Sequence, residues 1–203
     1  MIKATVGKNL DAWILRLFPF LFARKLDPNT LTVAGALVST GAAAAFVTGR
    51  LFAGGVLILA GGFFDLVDGV VARHRGIATR FGAFLDSTLD RWVDAVLLVG
   101  ISVHYAREGA PQYVALAGLA LAAIVLVSYS KARAELELPS FEVGLMERAE
   151  RVVILAAGAI FDALVLALWV IAVGSAITAG QRIALAYREM QRLDAADGKL
   201  ERP

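Results

Sequence analysis

Residues 65–90 read DLVDGVVARHRGIATRFGAFLDSTLD and contain two pairs of aspartates. Asp65 and Asp68 stand near the end of one apolar stretch, and Asp86 and Asp90 stand near the start of the next. Spacings of three and four residues put each pair on one face of a helix. At a rise of ~1.5 Å per residue, both pairs lie ~6–12 Å from the helix ends that the turn joins. An antiparallel helical hairpin would therefore bring the four carboxylates to one level, facing each other.

Four carboxylates in apolar surroundings repel one another and lose much of their hydration. Bound divalent cations would offset this cost and use the carboxylate oxygens as ligands. Oxygen ligands favour Mg²⁺ or Mn²⁺ over Zn²⁺, and this many aspartates are enough for two ions. Two other interpretations stay open, namely partial protonation and Asp–Arg pairs made with Arg73 or Arg91. The metal ligands that the pattern predicts are Asp65, Asp68, Asp86 and Asp90.

The composition of the chain indicates a membrane protein rather than a soluble domain. Of its 203 residues, 59% are hydrophobic and 19% are charged, and the mean hydropathy is +0.70. A soluble domain is about half apolar and about a quarter charged, so this chain would expose too much apolar surface in water. The same figures exclude disordered and collagen-like chains, and the lack of cysteine excludes a disulfide framework. No nucleic-acid-binding motif is visible, so no nucleic-acid partner is expected.

The apolar stretches are long enough for six transmembrane helices. An apolar core of ~30 Å needs about 20 residues per helical span, so residues 31–64, with Arg50 as their single charge, hold two spans. Residues 152–181 carry Asp162 as their single charge, and we expect two further spans that meet at this residue. We therefore expect an all-α polytopic membrane protein with six transmembrane helices. The expected spans are residues 31–48, 51–72, 83–105, 111–131, 147–161 and 164–187.

The basic residues indicate which side of the membrane holds the ends of the chain. If the N-terminus is inside, Arg50 and Arg107 are the only basic residues near the outer loops, as the positive-inside rule requires. Both termini and the acidic hairpin then face the cytoplasm. The expected location is the cell (inner) membrane, crossed several times.

We expect the chain to consist of three segments. Residues 1–27 carry leucines and Trp13 at helical spacing among basic residues, which predicts an amphipathic helix in the membrane interface. A signal peptide is the competing interpretation, but Arg16 interrupts its apolar region. Residues 28–190 hold the six-helix domain. Residues 191–203 form a polar tail that we expect to be disordered.

The residues between the aspartates complete a longer motif. In order, it reads Asp65-x-x-Asp68-Gly69-x-x-Ala72-Arg73, eight residues, Gly82, three residues, Asp86, three residues and Asp90. This motif resembles the signature of the CDP-alcohol phosphotransferases. The resemblance implies an integral membrane enzyme that acts as a homodimer. In such enzymes an alcohol attacks the β-phosphate of a CDP-linked lipid and displaces CMP.

The resemblance also implies roles for individual residues. The three aspartates before Asp90 would bind the metal ions, and Asp90 would be both a ligand and the catalytic general base for the attacking hydroxyl. A carboxylate within hydrogen-bond reach of that hydroxyl can accept its proton. The residues expected to contact the CDP group of the lipid are Asn29, Thr30, Leu31, Thr32, Gly69, Arg73 and Thr79.

A basic set of residues stands at the cytoplasmic ends of the last three spans. Arg and Lys can clamp a phosphate, whereas a neutral polyol such as free inositol needs no such cluster. A phosphorylated alcohol is therefore the expected acceptor. Basic residues are also routine at the inner ends of spans, and neighbouring glutamates could pair with them. The residues expected at the acceptor phosphate are Ser128, Lys131, Arg133, Arg151 and Arg182, and Arg148 belongs to the same group of cations.

Two segments resemble the acceptor region of phosphatidylinositol phosphate synthases, a branch of this family. They are residues 128–135, SYSKARAE, and residues 147–151, ERAER. The resemblance implies transfer of a phosphatidyl group from CDP-diacylglycerol to inositol 1-phosphate. Glycerol 3-phosphate is the rival acceptor, and its product would be phosphatidylglycerophosphate.

Two other functions can use paired aspartates in a membrane. An intramembrane prenyltransferase would place its acidic clusters on more separated helices and would leave Gly69, Arg73 and Gly82 unexplained. A divalent-cation transporter predicts an acidic path to the outer side, and the second and third spans carry none beyond their inner halves. Asp94 continues the face of Asp90 by four residues, and its role stays open between an outer partner of the site and a simple ion pair.

Overall fold

The structure, a computed structural model, describes Arg16, residues 27–138, Phe141 and residues 143–197. These residues form six helices, which confirms the expected all-helical chain. The predicted interfacial helix in residues 1–27 falls almost wholly outside the described residues. The helices are α1 Pro28–Val47, α2 Leu51–Arg75, α3 Arg80–Arg107, α4 Pro111–Ala134, α5 Arg148–Ile160 and α6 Leu164–Ala196.

Local sequence sets the ends of the α2–α3 hairpin. Gly76 ends α2 with φ of +65°, a left-handed conformation that glycine adopts without steric cost. Thr79 precedes α3 and its hydroxyl oxygen accepts a hydrogen bond from the Gly82 N–H at 2.9 Å, as an N-cap residue does. The short turn between these two residues brings the start of α3 back beside the end of α2.

Close helix packing places α1 against both helices of this hairpin. A Cβ atom on Gly35 of α1 would lie 2.9 Å from Cβ of Phe64 on α2, and one on Gly100 of α3 would lie 2.7 Å from the Ala43 carbonyl oxygen. Only glycine allows approaches this close. Helix α4 packs on α3 and α6, while α5 packs on α2 and α6, so α1, α4 and α5 contact the hairpin directly and α6 packs behind α4 and α5.

Four helices, namely α1, α2, α4 and α6, are long and apolar enough to cross a bilayer. Large apolar side chains point outward from them, as Leu37 at 67% and Leu119 at 62% exposure illustrate. These features identify a membrane protein. Helix α3 carries charges along its first half, and α5 has 13 residues, or ~20 Å at ~1.5 Å per residue. The expected six spans therefore stay a prediction for these two helices.

The last helix continues beyond the boundary expected at residue 190. Helix α6 runs to Ala196, and Arg192 Nη1 lies 2.7 Å from Glu189 Oε1 one turn earlier. Pairs of opposite charge at this spacing stabilise a helix surface. Residues 191–196 are therefore helical, although they were expected to belong to a disordered tail.

Candidate active site

The four aspartates of the hairpin lie near one another but face three different openings. Asp68 is 6% exposed and accepts a hydrogen bond from the Thr32 hydroxyl of α1. The carboxylates of Asp65, Asp86 and Asp90 interact electrostatically with one another. The two pairs are therefore within electrostatic range of each other, and α1 supports Asp68 through Thr32.

One opening, here called the acidic cavity, has a volume of about 300 Å³. Asp68 and Asp86 form its acidic wall, and it lies where α1, α2 and α3 meet. Most residues that the motif assigned to the CDP group face it. Those residues are Asn29, Thr32, Gly69, Arg73 and Thr79.

Two residues predicted at the CDP group do not line this cavity. The Thr30 hydroxyl donates to the Asp27 carboxylate at 3.1 Å, so it helps to cap α1. Leu31 is 9% exposed and packs with Val67 and Val70 of α2. Both side chains therefore position the start of α1 instead of facing the acidic cavity.

Glycines keep the acidic cavity open. A Cβ atom on Gly69 would lie 3.0 Å from Arg73 Nη1, and one on Gly82 would lie 3.0 Å from Asn29 Oδ1. A larger residue at either position would push a polar side chain out of its place. The missing side chains thus allow Arg73 and Asn29 to face the same space as Asp68.

Two aspartates of the hairpin, Asp65 and Asp90, make ion pairs with one residue from α5. Arg148 Nη1 lies 2.6 Å from Asp65 Oδ2 and 2.9 Å from Asp90 Oδ1. The sequence left Asp–Arg pairs open with Arg73 or Arg91, and the structure shows such pairs with Arg148. Its guanidinium stands between an expected metal ligand and the expected general base.

The chemistry of the four carboxylates fits a divalent cation, because the donor set contains only oxygen. In the described part of the chain, however, no three Asp, Glu or His side chains converge closely enough to hold an ion together. Between Asp65 and Asp90 lies the Arg148 guanidinium, within ion-pair distance of both carboxylates. A cation that uses both carboxylates must therefore compete with the guanidinium.

A second opening, here called the basic cavity, adjoins Asp90 and has a volume of about 200 Å³. It is assembled from α3, α4, α5 and α6 and from residue 147, which precedes α5. Arg133 does not line it, because this side chain is 56% exposed and lies 3.7 Å from Glu137. The polar residues that line the basic cavity are Asp90, Arg91, Asp94, Ser128, Lys131, Glu147, Arg148, Arg151 and Arg182.

Two arginines of the basic cavity are buried and held by fixed partners. Arg182 is 3% exposed and donates to the carbonyl oxygens of Val127 at 2.6 Å and Val143 at 2.8 Å. Arg151 is 5% exposed, and its Nη2 lies 2.8 Å from Asp94 Oδ2. Both cations are therefore fixed in position by the fold.

A third opening is an apolar groove between α2 and α5 with a volume of about 510 Å³. Leu59, Phe63 and Val153 are among its apolar walls. At its polar end are Asp65, Asp86 and Arg148. The groove therefore joins an apolar surface of the helices to the carboxylate cluster.

The sequence pattern of CDP-alcohol phosphatidyltransferase matches residues 25–181 of the chain. The chain belongs to the CDP-alcohol phosphatidyltransferase family. This result confirms the resemblance inferred from the hairpin motif, and with it the expectation of a transferase. The matched residues include all four aspartates and every residue of the basic cavity except Arg182, which follows the match directly.

Several phosphatidylinositol phosphate synthases are similar to this transferase. That of Streptomyces avermitilis is 39% identical, over 96% of this chain and 87% of that protein. A crystal structure of the Mycobacterium tuberculosis enzyme with CDP-DAG bound has a TM-score of 0.74 and 32% identity, and the match covers 90% of this chain and 94% of that one. A structure of the same enzyme with manganese and citrate has a TM-score of 0.74 and 33% identity, covering 89% and 88%.

Sequence reasoning placed Arg148 among the cations of this phosphatidyltransferase but gave it no role at the aspartates. The sequence feature that pointed to Arg148 was its place near the start of the fifth span, and basic residues are common at such positions. The contact with Asp65 and Asp90 depends on how α5 packs against the hairpin, which residue spacing within one helix does not reveal. The pairing of Asp94 with Arg151 depends on the same packing.

Proposed function

We propose that this protein transfers the phosphatidyl group of CDP-diacylglycerol to inositol 1-phosphate and releases CMP. The observation that carries the proposal is the meeting of the acidic and basic cavities at one turn of α3. Asp86 lines the acidic cavity and Asp90 lines the basic cavity. Two substrates bound on the two sides of this turn would meet at the carboxylates.

The acidic cavity suits the CDP end of the lipid. Arg73 and Asn29 offer donors to phosphate and base, and Gly69 and Gly82 leave room for them. The CDP-DAG bound to the similar Mycobacterium tuberculosis enzyme supports this assignment. The apolar groove beside Asp65 suits an acyl chain, because it leads from the carboxylates to a surface of apolar side chains.

The basic cavity suits a phosphorylated acceptor. Arginine and lysine bind phosphate through charge-assisted hydrogen bonds, and Lys131, Arg151 and Arg182 face this space. The buried Nε atoms of Arg148 and Arg151 have no hydrogen-bond acceptor among the described residues. An unmet buried donor costs ~1–3 kcal/mol, which favours an anionic occupant. The names of the similar synthases support inositol phosphate as that anion.

Asp90 is the proposed general base. The acceptor hydroxyl forms a bond to the β-phosphorus of CDP-diacylglycerol, the bond from that phosphorus to the CMP oxygen breaks, and Asp90 takes the hydroxyl proton. Positioned bases of this kind contribute ~10²–10⁴-fold in rate. Asp94 and the cations of the basic cavity hold the acceptor side of the reaction in place.

Asp65, Asp68, Asp86 and Asp90 are the proposed ligands of Mg²⁺ or Mn²⁺, two ions per site. When bound, such ions offset the negative charge of the diphosphate and of the departing CMP. The manganese in the similar Mycobacterium tuberculosis structure supports a divalent cation here. Arg148 Nη1 contacts one oxygen of Asp65 and one of Asp90, so its positive charge would weaken the binding of a cation at these carboxylates.

We also propose how the protein sits in the cell. All six helices span the inner membrane, with both termini and the active site on the cytoplasmic side and residues 1–27 in the interface. Arg50 and Arg107 are then the only basic residues near the outer loops. Residues 28–190 form the transferase domain, and two copies form a homodimer, as the family resemblance implies.

The test is release of CMP from CDP-diacylglycerol by the full chain in detergent or lipid. Parallel reactions contain inositol 1-phosphate, free inositol, glycerol 3-phosphate or serine, each with Mg²⁺ or Mn²⁺ and again with EDTA. We expect rapid release only with inositol 1-phosphate and a divalent cation. Faster turnover with glycerol 3-phosphate would make the protein a phosphatidylglycerophosphate synthase instead. Turnover with free inositol would show that the basic cavity does not need a phosphate on the acceptor.

A further inference from the structure

A buried ion pair lies in the wall of the basic cavity. Asp94 of α3 is 8% exposed and Arg151 of α5 is 5% exposed, and Arg151 Nη2 lies 2.8 Å from Asp94 Oδ2. Asp94 stands one turn after Asp90 on the same helix. The pair therefore connects the helix of the proposed base to the helix that supplies a cation for the acceptor.

The other end of the guanidinium is also fixed. Arg151 Nη1 donates to the Met146 carbonyl oxygen at 3.3 Å, and the Met146 N–H donates to the Thr178 hydroxyl at 3.0 Å. Helices α3 and α6 thus hold the arginine from two sides through Asp94 and Met146. Its orientation in the cavity follows from these contacts, because each of them involves a different terminal nitrogen.

A buried ion pair by itself is weak evidence for stability, since a pair of packed apolar side chains is often as stable. A fixed orientation matters more for a binding residue, which must stand within about half an ångström of its working position. An arginine without a buried partner would have several rotamers open to it. The carboxylate also balances one positive charge in a cavity that holds several.

We propose that Asp94 is a positioning residue that holds Arg151 for the acceptor phosphate and thereby selects phosphorylated acceptors. Asp94 acts through the guanidinium and does not touch the reacting atoms. This inference rests on the proposed function, because it needs a phosphate in the basic cavity. The sequence left the role of Asp94 open between an outer partner of the site and a simple ion pair. In this proposal, the ion pair of Asp94 with Arg151 makes it an outer partner of the site.

The test compares Asp94→Asn with the wild-type enzyme, both as full chains in the same detergent. Asparagine keeps the size of the side chain and removes its charge. We expect the KM for inositol 1-phosphate to rise by at least about tenfold, with the KM for CDP-diacylglycerol unchanged. Glu137→Gln is the matched control, because it neutralises the acid of an exposed Arg–Glu pair nearby. An unchanged acceptor KM in Asp94→Asn would overturn the proposal.

A double variant separates positioning from a general loss of structure. If Asp94 acts through Arg151, then Asp94→Asn combined with Arg151→Gln has the same acceptor KM as Arg151→Gln alone. Additive effects would show that Asp94 acts independently and would overturn the proposal. If Asp94→Asn does not fold, Asp94→Glu keeps the charge and displaces the guanidinium. The acceptor KM should then rise by at least about threefold, and an unchanged value would overturn the proposal.

The failure of this inference can be told apart from the failure of the proposed function. If the wild-type chain releases no CMP with inositol 1-phosphate, the proposed function is wrong. If the wild type is active and Asp94→Asn raises both KM values together, only the role of Asp94 is wrong.

Discussion

The acidic and basic cavities lie on two sides of the same turn of α3, yet the chain builds them differently. The acidic cavity takes its residues from the start of α1 and from a continuous hairpin. The basic cavity takes its residues from α3, α4, α5 and α6. The first depends on three consecutive helices, joined by a turn and by the Thr32–Asp68 hydrogen bond. The second depends on ion pairs between helices that are distant in sequence.

Because of this difference, we expect changes in the two cavities to affect two different properties, namely the reaction itself and the binding of the acceptor. Changes in the hairpin should affect the reaction with every acceptor, because the lipid diphosphate and the base are placed there. Changes in the basic cavity should affect the binding of the acceptor alone. Asp90 and Arg148 are exceptions. Asp90 belongs to the hairpin and also lines the basic cavity, and Arg148 lines the same cavity and contacts Asp65 and Asp90.

The largest effect is expected for Asp90→Asn. The amide cannot take the proton of the attacking hydroxyl, so turnover should fall by ~10²–10⁴-fold with any acceptor. The measurement is CMP release at saturating substrates. Asp162→Asn is the control, since Asp162 lies in a turn at the far ends of α5 and α6 with φ of +56°, a conformation that asparagine tolerates. If Asp90→Asn keeps an activity near the wild-type value, Asp90 is not the general base.

Arg151→Ala should have the next largest effect, limited to the acceptor. Loss of a charge-assisted hydrogen bond should raise the KM for inositol 1-phosphate by ~10–100-fold. The KM for CDP-diacylglycerol should stay the same, because it is bound on the other side of α3. If the KM values for both substrates rise equally, the two cavities do not bind the two substrates separately.

Arg148→Gln should increase the affinity for a divalent cation. The variant removes a positive charge that lies 2.6 Å from Asp65 and 2.9 Å from Asp90. Because such partly exposed pairs contribute at most ~1 kcal/mol, the Kd for Mn²⁺ should fall by a factor of about 3–5. Electron paramagnetic resonance measures free Mn²⁺ without any turnover, and Arg133→Gln is the matched control. Weaker Mn²⁺ binding would mean that Arg148 orients the carboxylates for the ion.

The smallest effect is expected for Arg133→Ala. This side chain is 56% exposed and pairs with Glu137 at 3.7 Å, outside the basic cavity. The KM for inositol 1-phosphate should change by less than about twofold, as expected for an exposed pair. A tenfold increase would restore Arg133 to the acceptor site that the sequence resemblance assigned to it.

Much of the hairpin could be predicted because its geometry is local. The spacing of Asp65, Asp68, Asp86 and Asp90 follows from the periodicity of two helices that a short turn joins. The cavity that includes Arg73 and Asn29 extends this pattern to α1, the helix directly before the hairpin, which packs on both of its helices. Thr30 and Leu31 do not line this cavity, because successive side chains of a helix face different directions.

The chain's own residues determined the all-helical membrane fold, the acidic hairpin and the family. Apolar length, charge position and residue spacing suffice for these, since each is a property of one helix or one turn. Only the tertiary structure decided that Arg148 lies between Asp65 and Asp90, that Asp94 holds Arg151 and that Arg133 stays outside. These contacts join helices that are distant in sequence, and which of their faces meet depends on the packing of the whole bundle.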